Sequence, residues 1–395
     1  MKITIVGGGF GGVKTALELA KKKYNRVTLI SDREVFQYYP ALYGTATGKS
    51  HLQSWVSLGT IFANMPNVDV IIDGVATVDP AKKQLKATSG NVYEYDNLVL
   101  ALGSVTTYFG IKGLDEYAYG IKSEREIHEL KKHLFQQMSE ERVIDKHYVI
   151  IGGGPTGVEL ASALGSYLER LRKDYRLPSR KIRINLVEAS PRLLPRMHPK
   201  SSEKVKRRLE KIGVNVELGK RVESANAKGL MVSGKPIETQ TIIWTSGVAN
   251  NPFFANNKEH FEFAPNGKVL VNHNLRTKSG IYVIGDNAAT PFSGLAQTAL
   301  HDALFVSENF ERRQATRPQR KYKAVMPPVV VPVGENWAVF EWRRLRLSGW
   351  LASLIRRAAD MIGYNDILPL GQALGVWRAQ SVLEDDYFTP SAKKK

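Results

Sequence analysis

Apolar positions along the chain fall into two kinds of run. Short runs rich in β-branched residues recur: Ile3-Thr4-Ile5-Val6, Arg26-Val27-Thr28-Leu29-Ile30, Tyr95 to Leu100, Tyr148-Val149-Ile150-Ile151, Ile182 to Val187 and Ile281-Tyr282-Val283-Ile284. Unbroken runs of this length predict strands buried on both faces, as in a parallel sheet covered by helices. Between them, Val13 to Ala20 and Val158 to Leu164 carry apolar residues at spacings of three and four, which predicts helices. Strands alternating with helices predict an α/β fold.

Glycines join strand to helix at two places. Gly7, Gly9 and Gly12 follow the first strand, and Gly152, Gly154 and Gly157 follow the one at Tyr148. Both have the G-x-G-x-x-G spacing. Such a turn lets the chain reverse tightly, lets backbone approach a diphosphate, and lets helix pack on strand. The diphosphate then lies at the positive end of the helix dipole. One such triplet is a weak signal, because glycines also make plain turns. Two triplets, each set between a strand and a helix, predict two Rossmann-like dinucleotide-binding folds.

The residue ending the second strand of such a fold reads the adenosine ribose. In the first fold this position holds Ser31, with Asp32 next, where an acid is usual. In the second it holds Glu188, whose carboxylate suits both ribose hydroxyls and repels a 2′-phosphate. That favours NADH, although Arg192 lies close enough in sequence to leave NADPH open.

Two further segments end in small-residue turns. The strand to Leu100 runs into Ala101-Leu102-Gly103, and the strand at Ile281 runs into Gly285-Asp286. Small residues allow close passage by a cofactor, and an Asp at the second turn suits the ribityl hydroxyls of a flavin. Together with the fingerprints, these segments resemble the two-dinucleotide flavoproteins. Within that superfamily they are most similar to type II NADH:quinone oxidoreductases, the single-subunit, non-pumping NADH dehydrogenases. The matching segments are Tyr39-Pro40-Ala41-Leu42-Tyr43, Ala46-Thr47-Gly48, Phe109 to Gly113, Gly154-Pro155-Thr156-Gly157-Val158-Glu159, Trp244-Thr245-Ser246-Gly247-Val248 and Ala296-Gln297-Thr298-Ala299.

The resemblance implies FAD at the first fold, NADH at the second, and a membrane quinone as electron acceptor. It implies that Glu159 sits near the nicotinamide and flavin, that the loop with Gly247 passes the nicotinamide, and that Gln297 lies near the quinone ring. The family carries a second glutamine one helical turn later, where this chain has His301. Residues four apart share a helix face, so His301 is a candidate proton donor to reduced quinone, or simply a packing residue.

Composition narrows the picture. The chain has 395 residues and no cysteine, which excludes disulfides, thiolate metal sites and a thiol relay for electrons. No metal site is expected. The formal net charge is +18, which suits nucleic acid or anionic lipid. No nucleic-acid motif is present, so the lipid surface is favoured.

The basic run Arg312-Arg313, Arg317, Arg320-Lys321 and Lys323 reads as a linker to a tail containing Trp337, Trp342, Trp350 and Trp377. There Leu347, Trp350, Leu351, Leu354, Ile355, Ala358, Met361 and Ile362 form an apolar helical stripe, flanked by Arg343, Arg344, Arg346, Arg356 and Arg357. That pattern suits a helix lying in a membrane interface, a core helix or a homodimer face. A basic Lys393-Lys394-Lys395 run ends the chain.

The expected organisation is an FAD domain of residues 1–112 and 265–320, an NADH domain of 113–264, and a membrane-association segment of 321–395. With neither a signal-like start nor an apolar run long enough to span a bilayer, the expected location is the cytoplasmic face of the cell membrane. A soluble NADH-dependent reductase of a small electron-carrier protein is the main alternative. An NADH-sensing binding protein is a third.

Overall fold

A computed structural model describes residues 2–384, so the terminal lysine run lies outside the described residues. Lys2–Val6 sits at the centre of a five-stranded parallel sheet, ordered Tyr282–Val283, Asn97–Leu100, Lys2–Val6, Arg26–Ser31, Val68–Ile72. His147–Ile151 takes the same place in a second parallel sheet, ordered Ala118–Tyr119, Thr241–Trp244, His147–Ile151, Arg183–Glu188, Val214–Leu218. Helices cover the sheets, so Ile3, Ile5, Val149 and Ile150 are fully buried, as their unbroken apolar runs require.

The two units repeat one plan. Each central strand enters a glycine turn and then a helix, Phe10–Ala20 in the first unit and Pro155–Asp174 in the second. Each inserts a three-stranded antiparallel sheet before the chain returns to the parallel one: Val75–Asp79, Gln84–Ala87 and Val92–Glu94, then Val222–Asn226, Gly229–Val232 and Lys235–Glu238. The chain crosses between units twice, and the crossings Ser104–Thr106 and Val248–Asn250 pair antiparallel. The edge strand Tyr282–Val283 joins the first sheet only after the second unit is built. Helix Ala296–Gln314 then packs against Phe10–Ala20.

Arg312 and Arg313 belong to the last turn of that helix rather than to a linker, where cations oppose the negative end of its dipole. The segment after it is strapped back onto the helix. Asn309 donates to the Arg320 carbonyl at 3.0 Å and accepts the Arg320 N–H at 2.9 Å. An antiparallel sheet of Val329–Pro332, Ala338–Trp342 and Leu345–Gly349 follows, then helices Trp350–Asn365 and Leu370–Ala379.

Helix Trp350–Asn365 is amphipathic in an inverted sense. Trp350 is 64% exposed and Ile362 65%, with Leu351 and Leu354 also open, while Ala352, Arg356, Asp360 and Tyr364 face inward. Arg356 therefore does not flank the apolar stripe beside Arg357. A helix turns about 100° per residue, and that step puts Arg356 inside while Arg357 stays exposed. The tail is tied to the first unit: Tyr364 donates to the Gln53 carbonyl at 2.6 Å, and the Glu384 carboxylate accepts from Ser50 Oγ at 2.7 Å.

Candidate functional site

The glycines of each fingerprint do different work. A Cβ on Gly7 would stand 2.2 Å from the Ala101 carbonyl oxygen, and one on Gly12 1.9 Å from that of Gly7. A Cβ on Gly157 would stand 1.9 Å from the Gly152 oxygen. These positions are glycine because backbone packs on backbone. Gly7 and Gly152 also have φ of +116° and +115°, which strains any other residue. Gly9 and Gly154 differ, since a Cβ there meets nothing within 4 Å. Both open onto a helix start that carries no side-chain cap and no acidic residue in its first turn. The free N–H groups and the dipole face open space, so each turn fits a diphosphate.

The two positions expected to read a ribose are equivalent in space and different in chemistry. Ser31 lies under Gly8; its hydroxyl donates to the Arg33 carbonyl at 2.7 Å and accepts the Arg33 N–H at 3.2 Å, which leaves one lone pair to accept. Asp32 points away, its side chain 67% exposed and near Arg33. In the second unit the Glu188 carboxylate lies under Gly153, accepting its N–H and that of Ser190, the latter at 2.6 Å. Arg192 is already committed: it donates to the carbonyls of Met197 and Pro195. The residue that left NADPH open is thus held by backbone acceptors.

The Gly285-Asp286 turn is clamped on both sides. The Gly285 N–H donates to the buried Asp302 carboxylate at 2.9 Å, and its carbonyl accepts from Ser293 at 2.9 Å. Asn287 bonds both the N–H and the carbonyl of Gly103, at 2.9 and 2.7 Å. Ala101, Gly103, Gly285 and Asp286 therefore form one small-residue wall beside the first glycine turn. Asp286 accepts from Ser104 Oγ at 2.7 Å. Burial raises the Asp302 carboxyl to about 6. Sequence reasoning missed Asp302, because a lone acid in an amphipathic helix reads as a surface charge.

Glu159 lies in the second turn of its helix and is only 7% exposed, unlike a dipole-complementing surface acid. Its carboxylate accepts from Arg356 Nη1 at 3.1 Å. Arg356 Nε donates to Asp360 at 2.9 Å, and Nη2 to the Pro40 carbonyl at 2.6 Å. Tyr38 donates to the other Asp360 oxygen at 3.1 Å. Two carboxylates thus share one guanidinium out of water. Burial raises the Glu159 carboxyl to about 7 against the pull of Arg356. The signal that could have revealed this network is Ala352, Arg356, Asp360 and Tyr364, all four apart, opposite the apolar stripe.

The remaining expected residues divide. Gln297 is exposed in the first turn of helix Ala296–Gln314. His301, one turn on, places Nε2 3.0 Å from the Lys323 carbonyl and its ring against Tyr322. Gly247 has φ of +77°, and a Cβ there would stand 2.6 Å from the Thr107 carbonyl oxygen. Close passage of residues 107–109 is enough to require glycine. Trp244 donates from its indole to that same carbonyl at 3.0 Å.

The geometry defines a class: two dinucleotide-type folds facing one another across a shared seam, with a buried glutamate on the second and a tail reaching back to it. The chain belongs to the pyridine nucleotide-disulphide oxidoreductase family, whose model matches residues 1–303. It is 28% identical to the type II NADH:quinone oxidoreductase NdhA of Mycobacterium tuberculosis, over 95% of this chain and 86% of that protein. It is 25% identical to the type II NADH:quinone oxidoreductase of Staphylococcus saprophyticus, over 91% of this chain and 94% of that protein. Among solved structures, NDH2 from Plasmodium falciparum in complex with NADH shares the fold, with a TM-score of 0.84 and 19% identity over 96% of this chain and 97% of that one.

Proposed function

We propose that this chain is a flavin-dependent NADH:quinone oxidoreductase that works at a membrane surface without pumping protons. The observation that carries the reading is the Arg356–Glu159 bond at 3.1 Å. It joins the second dinucleotide fold to a helix whose outer face is apolar and exposed, which supports a reading in which the nicotinamide site and a membrane-docking tail are built together.

FAD, when bound, supplies the two-electron chemistry, accepting a hydride from NADH and passing two electrons to quinone. Gly9 would let its diphosphate approach the start of helix Phe10–Ala20, with Gly7 and Gly12 shaping the turn. Ser31 accepts from its adenosine ribose, with Asp32 at the rim. Asp286 takes the ribityl hydroxyls, and Ala101, Gly103 and Gly285 leave room for the chain of the cofactor. Gly154 would let the NADH diphosphate approach its helix, with Gly152 and Gly157 shaping the turn, and Glu188 would take the ribose hydroxyls.

The loop at Gly247 borders the nicotinamide. Glu159, raised toward neutrality by burial, helps seat that ring and exchanges a proton at its carboxylate. Gln297 orients the quinone by hydrogen bonding, and His301, one turn on along the same helix face, is the candidate proton donor.

The FAD unit takes residues 1–112 and, after the return crossing, about 251–320 rather than 265–320, because Phe253, Phe254 and Phe261 pack with Val6 and Ile30 of the first sheet. The NADH unit lies between, and the docking segment begins at about residue 321. Among the described residues, no helix is long and apolar enough to cross a membrane. Trp350, Leu351, Leu354 and Ile362 lie in the interface of the cytoplasmic leaflet, with Arg343, Arg344, Arg346 and Arg357 toward anionic headgroups. A second copy of the chain competes for the same apolar face. The alternative of a soluble carrier-protein reductase leaves that face unexplained.

Steady-state NADH oxidation with ubiquinone and menaquinone analogues tests the assignment, together with flotation on anionic and neutral vesicles. Quinone-dependent turnover with binding to anionic vesicles is expected. Absence of turnover with every quinone overturns it.

A further inference from the structure

Lys122 belongs to neither glycine turn and to none of the motifs above. It sits between strand Ala118–Tyr119 and helix Glu124–Phe135, in the seam between the two units. Its carbonyl accepts from Gln37 at 2.6 Å, which fixes its backbone to the first unit. Its ammonium donates to Ser104 Oγ at 2.9 Å, and that hydroxyl donates onward to Asp286 at 2.7 Å. The order of donors is forced, because an ammonium has protons and no lone pair. A lysine charge is thus delivered, through one hydroxyl, to the acid of the flavin turn.

The charged groups facing Lys122 are Asp286 and Glu126, which favour its protonated form, and Arg33, which opposes it. Neither acid pairs with it directly. Asp286 is reached through Ser104. Glu126 is committed to the capping box of its own helix, accepting the N–H groups of Lys122 and Ser123. Among the described residues, no carboxylate oxygen lies within ion-pair distance of the Lys122 ammonium, and burial lowers its pKa to about 8. A desolvated cation without a direct counterion is costly, and such groups gather where a ligand brings the missing charge.

We propose that Lys122 provides the positive charge that stabilises the flavin once it has been reduced. The proposal rests on the assignment of the first fold to FAD. In the reaction a C–H bond of NADH breaks and its hydrogen leaves with both electrons. NAD+ departs, and the flavin gains the hydrogen and one net negative charge. A nearby ammonium lowers the energy of that product more than that of the neutral oxidised ring. Lys122 thereby favours hydride uptake, and its neutral form favours electron release.

The test is the two-electron midpoint potential of the flavin in the purified holoenzyme, which needs neither NADH nor quinone turnover. K122M, or K122Q if the first does not accumulate with FAD, is compared with wild type and K122R. In the neutral variant the relative stability of reduced flavin is expected to fall at least tenfold, about 30 mV. K122R should restore most of it. A neutral variant with normal FAD content and an unchanged potential overturns the proposal. So does an equal drop in K122R and K122M, which marks a packing role. Wild-type protein that purifies without binding FAD overturns the flavin assignment as well, whereas FAD bound at an unchanged potential defeats only the role of Lys122.

Discussion

Arg356 and Glu159 are 197 residues apart in the chain and 3.1 Å apart in space. One comes from a tail helix with an apolar outer face, the other from the helix that opens the second dinucleotide fold. Both are buried, and each has few alternatives. Arg356 also holds Asp360 and the Pro40 carbonyl, so a single guanidinium ties tail, second unit and first unit together. Removing the tail would therefore injure the site directly, and membrane binding has to be tested by surface substitution instead.

R356A should destabilise the protein by about 3–5 kcal/mol, because it leaves two buried carboxylates without their cation. R356K keeps the charge and loses the fork, so it should cost less. Urea unfolding of the three proteins checks the order, and equal stability of R356A and wild type would refute the network's role.

The pH dependence of stability isolates Glu159. Its carboxyl is raised in the folded state to about 7 from an ordinary value of 4.5. Between those values the folded protein holds a proton that the unfolded chain has released. Stability from this group is therefore present at low pH and declines as pH rises toward about 7. E159Q cannot titrate and should lack that decline, so the stability difference E159Q minus wild type should grow from pH 5 to pH 7.5. Parallel curves in thermal unfolding would count against the raised carboxyl.

Gly9 and Gly12 should respond oppositely to alanine. At Gly9 the new Cβ meets nothing within 4 Å, whereas at Gly12 it stands 1.9 Å from a carbonyl oxygen. G9A should fold normally and bind FAD at least roughly tenfold more weakly, since it blocks close approach of the diphosphate. G12A should lose stability even without cofactor. Apoprotein unfolding and FAD titration separate the two effects.

The triple variant W350S/L354S/I362S alters side chains that are already exposed. It should shift stability by no more than about 1 kcal/mol. Flotation should show loss of vesicle binding, with turnover on a water-soluble quinone analogue retained. A large loss of stability would mark this face as one that packs within the protein.

Much of the fold was legible because its signals are local. A buried parallel strand must be apolar throughout, and a turn that lets backbone cross backbone must be glycine. Both facts are written in neighbouring residues, as at Ile3 to Gly12. The apolar stripe from Trp350 to Ile362 was equally plain, although Leu347, grouped with it by spacing, lies in the strand Leu345–Gly349 before the helix. Its inward partner was misread: Arg356 looked like a flank residue, since nothing local says which side of a helix meets the protein when both sides have character. Ser31 and Asp32 show the same limit on a smaller scale. Sequence offered both to the ribose, and side-chain direction turned Ser31 toward the glycine turn and Asp32 toward solvent.

By itself, then, the sequence determined two strand–glycine–helix units, the carboxylate at the end of strand Arg183–Glu188, the absence of any thiol, and an apolar helix in the tail. These follow from periodicity, spacing and residue chemistry, which act over a few residues. The tertiary structure alone decided which charges meet: Arg356 with Glu159 and Asp360, Asp302 with the Gly285 turn, Lys122 with Ser104 and Asp286. Those contacts join residues that the chain keeps far apart. Burial sets their strength, and burial is a property of the packed molecule that no local pattern contains.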